Sequence, residues 1–230
     1  MRILTTAAIL AALFLAQPAR AADDYPPAFP RAGGTLIMEN AWGAAWDAVY
    51  APGQPTPMHR HRFDFVGVEL ADSAVTVTTP DGQSKTFPAK HGDSYFLPRG
   101  VTHVELTPAG DPARHAVLID LKDGAPAATS SPLASVAAFP GEAARKVVEN
   151  PRVVLWDYAW PATPPAAPAV YARNTFIVIV DGGELTATGP AGKTATVPVT
   201  SGQVLFRPAG SALAEAATKG QVRAIVVELK

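Results

Sequence analysis

The chain of 230 residues has no cysteine. That absence excludes disulfides and thiolate metal sites, and it leaves packing to hold the fold. Charged residues make up 17% of the chain and the formal net charge is −1, a balance that argues against nucleic acid and against an anionic membrane surface as partners. Long apolar runs are scarce as well. The longest is Ile3 to Leu15, and it is too short for a membrane span, which needs about 20 apolar residues. With Arg2 before it and Ala19-Arg20-Ala21 after it, the run reads as a secretory signal peptide over residues 1–21 rather than an anchor. Cleavage would leave Ala22 as the first residue and remove Arg2 and Arg20, taking the charge from 19 − 20 = −1 to 17 − 20 = −3. A periplasmic or secreted location is expected, with no membrane contact after signal removal. Phosphate-cradling glycine loops, nucleotide fingerprints and a Ser-His-Asp pattern are missing too.

What the chain does have is proline, glycine, valine and threonine. There are 23 prolines and 18 glycines, which favours short strands and turns over long helices. The sequence also repeats itself at a constant offset, 202 − 92 = 110. Glu39-Asn40 falls on Glu149-Asn150, Trp46-Asp47 on Trp156-Asp157, Pro88 on Pro198, Gly92 on Gly202, Pro98 on Pro208 and Gly100 on Gly210. The two copies run from about Leu36 to Asp120 and from about Lys146 to Lys230. Each predicts the same hairpin. Ala74–Thr79 turns through Pro80-Asp81-Gly82 into Lys85–Phe87, and Leu185–Thr188 turns through Pro190-Ala191-Gly192 into Ala195–Val197. Ser94–Leu97, Val204–Phe206, His115–Leu121 and Val222–Leu229 read as further strands, and Gly141–Val148 as a short helix. The expected layout is a first domain at 22–122, a linker at 123–145 and a second domain at 146–230, all-β and built as sandwiches or barrels.

Three of the five histidines fall in two segments. His59 and His61 lie in Met58-His59-Arg60-His61, and an H-x-H pair on a strand puts both rings on one face. His103 follows in Gly92-Asp-Ser-Tyr-Phe-Leu-Pro98-Arg-Gly100-Val-Thr-His103. Imidazole is a common ligand for divalent transition metals. The second copy places Ala169, Tyr171 and Leu213 at these positions, so one metal site in the first copy and none in the second is the simplest reading.

These residues resemble the cupin superfamily, small jelly-roll β-barrels marked by two motifs. Gly92, Pro98, Gly100 and His103 match the second motif, G-x5-P-x-G-x2-H, and the asparagine that follows in the family is Thr107 here. Gly53, His59 and His61 match the first motif, G-x5-H-x-H, whose glutamate and closing glycine are absent; Phe65 and Val66 stand where the glutamate falls. With the repeat, the resemblance implies a bicupin: two tandem cupin-like jelly-roll barrels, the second one degenerate. It implies a divalent transition metal (Fe favoured, with Mn, Zn, Ni or Cu as alternatives) on His59, His61 and His103, and a small-molecule substrate or ligand. Three-histidine cupins without the glutamate include Fe(II)-type dioxygenases resembling cysteine dioxygenase and diketone-cleaving enzymes. The alternatives are a non-catalytic cupin that binds a metal or small molecule and a metal-free structural bicupin whose histidines are relics. A monomer or a homodimer fits equally.

Two carboxylates stay open. Asp64 is a further candidate ligand if a bulge after His61 turns it inward, and otherwise a surface partner of Arg60 or Arg62. Glu105 shares His103's parity and is read either as a pocket residue or as a surface one. Glu69 lies too far along its strand to reach the same site. Phe63, Phe65, Tyr95 and Phe96 read as barrel packing, with Phe65 filling part of the pocket. His91 is expected in an exposed turn and His115 at a barrel end.

Overall fold

In the computed structural model, residues 25–123, 138–140 and 144–230 are described, so the expected signal peptide and most of the expected linker lie outside. The chain divides into two compact units between Ala125 and Pro126. Among the described residues every regular element is a strand.

The first unit contains β1 (Gly34–Glu39), β2 (Gly43–Tyr50), β3 (His59–Arg60), β4 (Asp64–Glu69), β5 (Ser73–Thr78), β6 (Ser84–Ala89), β7 (Ser94–Leu97), β8 (Thr102–Leu106) and β9 (Arg114–Leu121). They form two antiparallel sheets, β1-β2-β9-β4-β7 and β3-β8-β5-β6. The second unit contains β10 (Ala138–Phe139), β11 (Arg145–Glu149), β12 (Val153–Ala159), β13 (Ala169–Tyr171), β14 (Thr175–Asp181), β15 (Gly183–Thr188), β16 (Thr194–Val199), β17 (Val204–Arg207), β18 (Ala212–Lys219) and β19 (Arg223–Leu229). Its sheets, β11-β12-β19-β14-β17 and β10-β13-β18-β15-β16, repeat the strand order of the first unit and add β10 at one edge. Each unit is an all-β jelly roll.

Alternation sets the cores. On β5 the burial runs in strict period two, with Val75 and Val77 inward. On β4 and β14, central in their sheets, both faces are covered. Phe65 packs with Tyr50, Leu97 and Leu118 inside the first unit. Tyr171, Ile177, Ile179 and Val226 pack inside the second. Each such side chain contributes about 1.5–3 kcal/mol. The predicted hairpins form as read: Gly82 and Gly192 end the turns at φ 83° and 74°, a region that favours glycine.

The offset of 110 holds for irregular features too. The bulge between Leu36 and Met38 recurs between Lys146 and Val148. Ala28-Phe29-Pro30 falls on Ala138-Phe139-Pro140 at the same offset, so the repeat begins earlier than Leu36, on the segment that precedes β1. There Ala28 N–H donates to Arg60 O at 3.2 Å, and Arg60 N–H donates to Pro26 O at 2.9 Å, which straps residues 26–31 against β3. The expected helix over Gly141–Val148 does not form where it is described. Arg145–Glu149 is strand β11, because pairing with β12 outweighs the helix propensity of its Ala, Arg and Lys residues. Residues 141–143 lie outside the described residues.

Candidate metal centre

His59 on β3 pairs directly with His103 on β8, and the ladder continues past the strand end as His61 N–H donates to Val101 O at 2.9 Å. This register puts three imidazoles in one place. Their ring centroids are 4.7–5.3 Å apart, and each is 2% exposed. One ligand atom from each lies within 4.8 Å of the others. The Nε2 atoms of His61 and His103 are 3.2 Å apart. With metal–nitrogen bonds of about 2.1 Å, that separation subtends roughly 100° at a shared cation, between octahedral and tetrahedral angles.

The rings are prepared electrostatically. Burial lowers the pKa of all three, with neighbouring imidazoles adding to the effect at His61 and the Arg31 guanidinium at His59. His103 falls to about 3. Neutral imidazole is the form that ligates. His59 Nδ1 lies 2.9 Å from Pro57 O, which can only accept, so Nδ1 carries the proton and Nε2 is the nitrogen with a lone pair to offer. Phe65 stacks on His61 at 4.0 Å and 12°, holding the ring where the family's glutamate is missing. Three neutral nitrogens on one side, with no protein carboxylate among them, suit a first-row divalent cation with open positions.

The carboxylates sort differently from the expectation. Asp64 does not join the cluster. Its Oδ1 accepts from Arg99 N–H at 2.9 Å and its Oδ2 from Arg99 Nη2 at 3.2 Å. The carboxylate is turned to Arg99 and the metal-ligating group comprises the three histidines without it, so its place as a tentative ligand is corrected. Arg99, from the turn after β7, is a partner that the sequence reading did not name.

Glu105 is not a surface residue. It is 8% exposed and joins two buried guanidinium groups, Arg31 Nη2 at 2.7 Å and Arg114 Nη1 at 2.8 Å. Burial works against its ionised form, but Arg114 and Arg31 outweigh that and hold its pKa well below the usual carboxylate range. Glu69, as expected, is away from the histidines. It takes Arg114 Nη2 at 2.7 Å and Nε at 3.1 Å. Tyr95 OH accepts from Arg114 Nη2 at 2.8 Å, and its ring occupies the space beside Gly67, where an added Cβ would be 2.2 Å from Tyr95 Cζ. His91 is exposed and donates from Nδ1 to Leu70 O at 2.8 Å. His115, half-exposed, meets Asp47 at 2.6 Å.

Arg31 is the site residue that sequence reading missed. The strap carries it in over the rings of Phe29 and Tyr50. Its Nη1 lies 2.7 Å from His59 Nε2 and 3.0 Å from Nδ1, and its Nη2 donates to Tyr50 OH as well as to Glu105. One signal was available: Ala28-Phe29-Pro30 recurs as Ala138-Phe139-Pro140, which makes the strap part of the repeated unit.

In the second unit Ala169 pairs with Leu213 where His59 pairs with His103. Glu215, the counterpart of Glu105, is retained; it accepts from Tyr171 OH and from Arg207 Nη2, the latter at 2.9 Å. Among the described residues the three-histidine group is the only one of its kind.

No family model matches the chain. Over 74 residues, 32% of this chain and 77% of the relative, it is 36% identical to the β-alanine degradation protein BauB of Pseudomonas aeruginosa. It superposes on AerE from Microcystis aeruginosa with a TM-score of 0.59 at 13% identity, covering 86% of this chain and 97% of that one. For the oxalate decarboxylase formate complex of Lactobacillus farciminis the TM-score is 0.56 at 11% identity, over 85% and 83% of the two chains. A cupin 2 conserved barrel domain protein from Leptotrichia buccalis gives 0.52 at 13% identity, over 86% and 88%. At these identities the structures speak for the fold alone. Relative, fold and motifs agree: the chain belongs to the cupin superfamily, as a bicupin whose N-terminal barrel carries a metal-site-like histidine trio and whose C-terminal barrel carries none.

Proposed function

We propose that the protein is an exported, metal-dependent enzyme acting on a small organic substrate, with His59, His61 and His103 holding one divalent cation and a dioxygenase-type reaction as the first choice. The observation that carries this reading is the convergence of neutral, buried imidazoles, with two Nε2 atoms 3.2 Å apart and the His59 tautomer fixed by Pro57. Three neutral ligands leave the cation its full charge and its open positions, so that when bound it supplies Lewis acidity and a place for dioxygen beside the substrate. The chain's own part is to orient the rings, exclude water and hold fixed charges nearby. Among the cations considered, Fe is favoured over Mn, Zn, Ni and Cu on the three-histidine pattern. BauB's name refers to degradation of β-alanine, a small molecule, and is consistent with a small substrate here. The proposed location is the periplasm or the exterior, and the proposed assembly is a monomer or a homodimer.

A second reading, a non-catalytic cupin that binds a metal or small molecule, gains from one observation: the Arg31 guanidinium already sits against His59. Metal analysis of protein purified from the periplasm tests both. About one equivalent in the wild type, lost in His61→Ala, together with oxygen uptake on a panel of thiols, diketones and phenols, supports the enzyme. One equivalent without turnover supports the binding protein. No metal at all refutes both metal readings.

A further inference from the structure

Arg31 is a buried cation whose hydrogen bonding is incomplete. Its side chain is 7% exposed. Nη2 is taken by Glu105 and Tyr50, while Nε has no hydrogen-bond partner. Nη1 touches both nitrogens of His59. The lone pairs of an imidazole diverge in the ring plane, so one donor cannot align with both, and Nδ1 already donates to Pro57. The remaining acceptor, Nε2, is the atom that a cation would take. Loading the histidines therefore strips Nη1 of its acceptor and leaves two like charges side by side.

A charge count points the same way. Arg31 and Arg114 are balanced by Glu69 and Glu105. A divalent cation would add +2 to this buried cluster with no protein carboxylate in its ligand set to offset it. Buried charge of that size calls for an anion, and a planar guanidinium is matched to a carboxylate.

We propose that Arg31 is a specificity-determining residue that receives the carboxylate of a small organic acid bound beside the cation. This rests on the histidines being metal ligands, and it narrows the substrate class of that site to carboxylates. No bond is made or broken at Arg31; it binds and orients.

Malonate and its neutral isostere malonamide are the probes. Each is titrated calorimetrically into Co(II)-loaded protein while the visible Co(II) spectrum is followed, and again into metal-free protein. Malonate is expected to bind the loaded wild type and perturb the spectrum, with malonamide at least about tenfold weaker. Arg31→Met should retain Co(II) but lose malonate affinity by about ten- to a hundredfold, the worth of one charge-assisted hydrogen bond. Arg31→Lys, which keeps a charge beside Glu105 and guards against misfolding, should fall between. Equal affinity for malonate and malonamide, or unchanged malonate affinity in Arg31→Met, overturns the assignment. Failure of Co(II) to bind the wild type instead sinks the metal reading, and Arg31 is then judged on the metal-free protein. There, weak malonate binding abolished by Arg31→Met sustains its role, and absent or unaffected binding refutes it.

Discussion

Glu105→Gln is expected to be among the costliest single-atom changes in the first barrel. The glutamate lies between two guanidinium groups at 2.7 and 2.8 Å and is 8% exposed, so solvent screens it little. An amide of the same shape keeps one acceptor and turns an NH2 donor toward an arginine. The buried cluster then changes from neutral to +1. Breaking a buried pair from one side costs about 3–5 kcal/mol. The sign with pH is fixed by the depressed carboxyl pKa. The stabilisation is fully present above the unfolded value of about 4.5 and is lost as pH falls through the folded value, so pH 7 reads all of it. Asp64→Asn is the matched control. Arg99 is 43% exposed on the side chain and also meets Asp123, and an asparagine oxygen can still accept from Arg99 N–H, so its cost should be smaller than that of Glu105→Gln. Urea denaturation of both metal-free variants at pH 7 gives the comparison, provided the slope of the transition is unchanged. A Glu105→Gln cost under about 1 kcal/mol, or one no larger than that of Asp64→Asn, refutes the view that this acid holds the interior charges together. The double variant Arg31→Met/Glu105→Gln should cost less than the sum of the singles, since removing both partners leaves less charge stranded.

Other outcomes follow from the same geometry. His61→Ala or His103→Ala should take metal content from about one per chain to near zero, whereas Tyr171→Ala in the second barrel should leave it unchanged, by elemental analysis. Chelation of the bound ion should lower unfolding free energy by about 2.7 kcal/mol relative to protein held at a hundredfold excess over Kd, read by calorimetry. Gly67→Ala would drive a methyl into Tyr95 and unseat its hydroxyl from Arg114, at a cost of about 1–3 kcal/mol in thermal unfolding. Burial raises the Asp120 carboxyl to about 6, above its unfolded value, with the Trp46 indole N–H opposing the rise. Its contribution is present below about pH 4 and lost as pH rises through about 6. Subtracting the Asp120→Asn stability profile from the wild-type profile should show a decline across that window, and a flat difference would refute the shift.

Legibility of this fold follows the range of the interactions involved. The hairpin at Pro80-Asp81-Gly82 was readable because turn chemistry is local, and β7 because a Pro-x-Gly turn ends it. The histidine trio was readable because two spacings, one period-two pair and one motif, converge. Arg31 was not, since nothing within a few residues of it indicates that a strap will lay it on His59. Glu105 was half readable: parity gave its face, but only the fold supplies Arg31 and Arg114 as the partners that make burial tolerable. The helix expected at 141–148 was a local preference, and where it is described a non-local pairing overrides it: Arg145–Glu149 lies on β12 as Gly34–Glu39 lies on β2.

The acid at positions 105 and 215 sits beneath two different sets of neighbours. In one barrel two arginines neutralise it next to three imidazoles; in the other a phenol and a single arginine do. Once such a charge is sealed inside, neither copy can discard it alone, and each must keep a counterion of its own. Grafting histidines onto Ala169, Tyr171 and Leu213 would therefore not reproduce the first barrel in the second. The graft would take away the Tyr171 donor and leave Glu215 with Arg207, so a working transplant has to carry its arginines along.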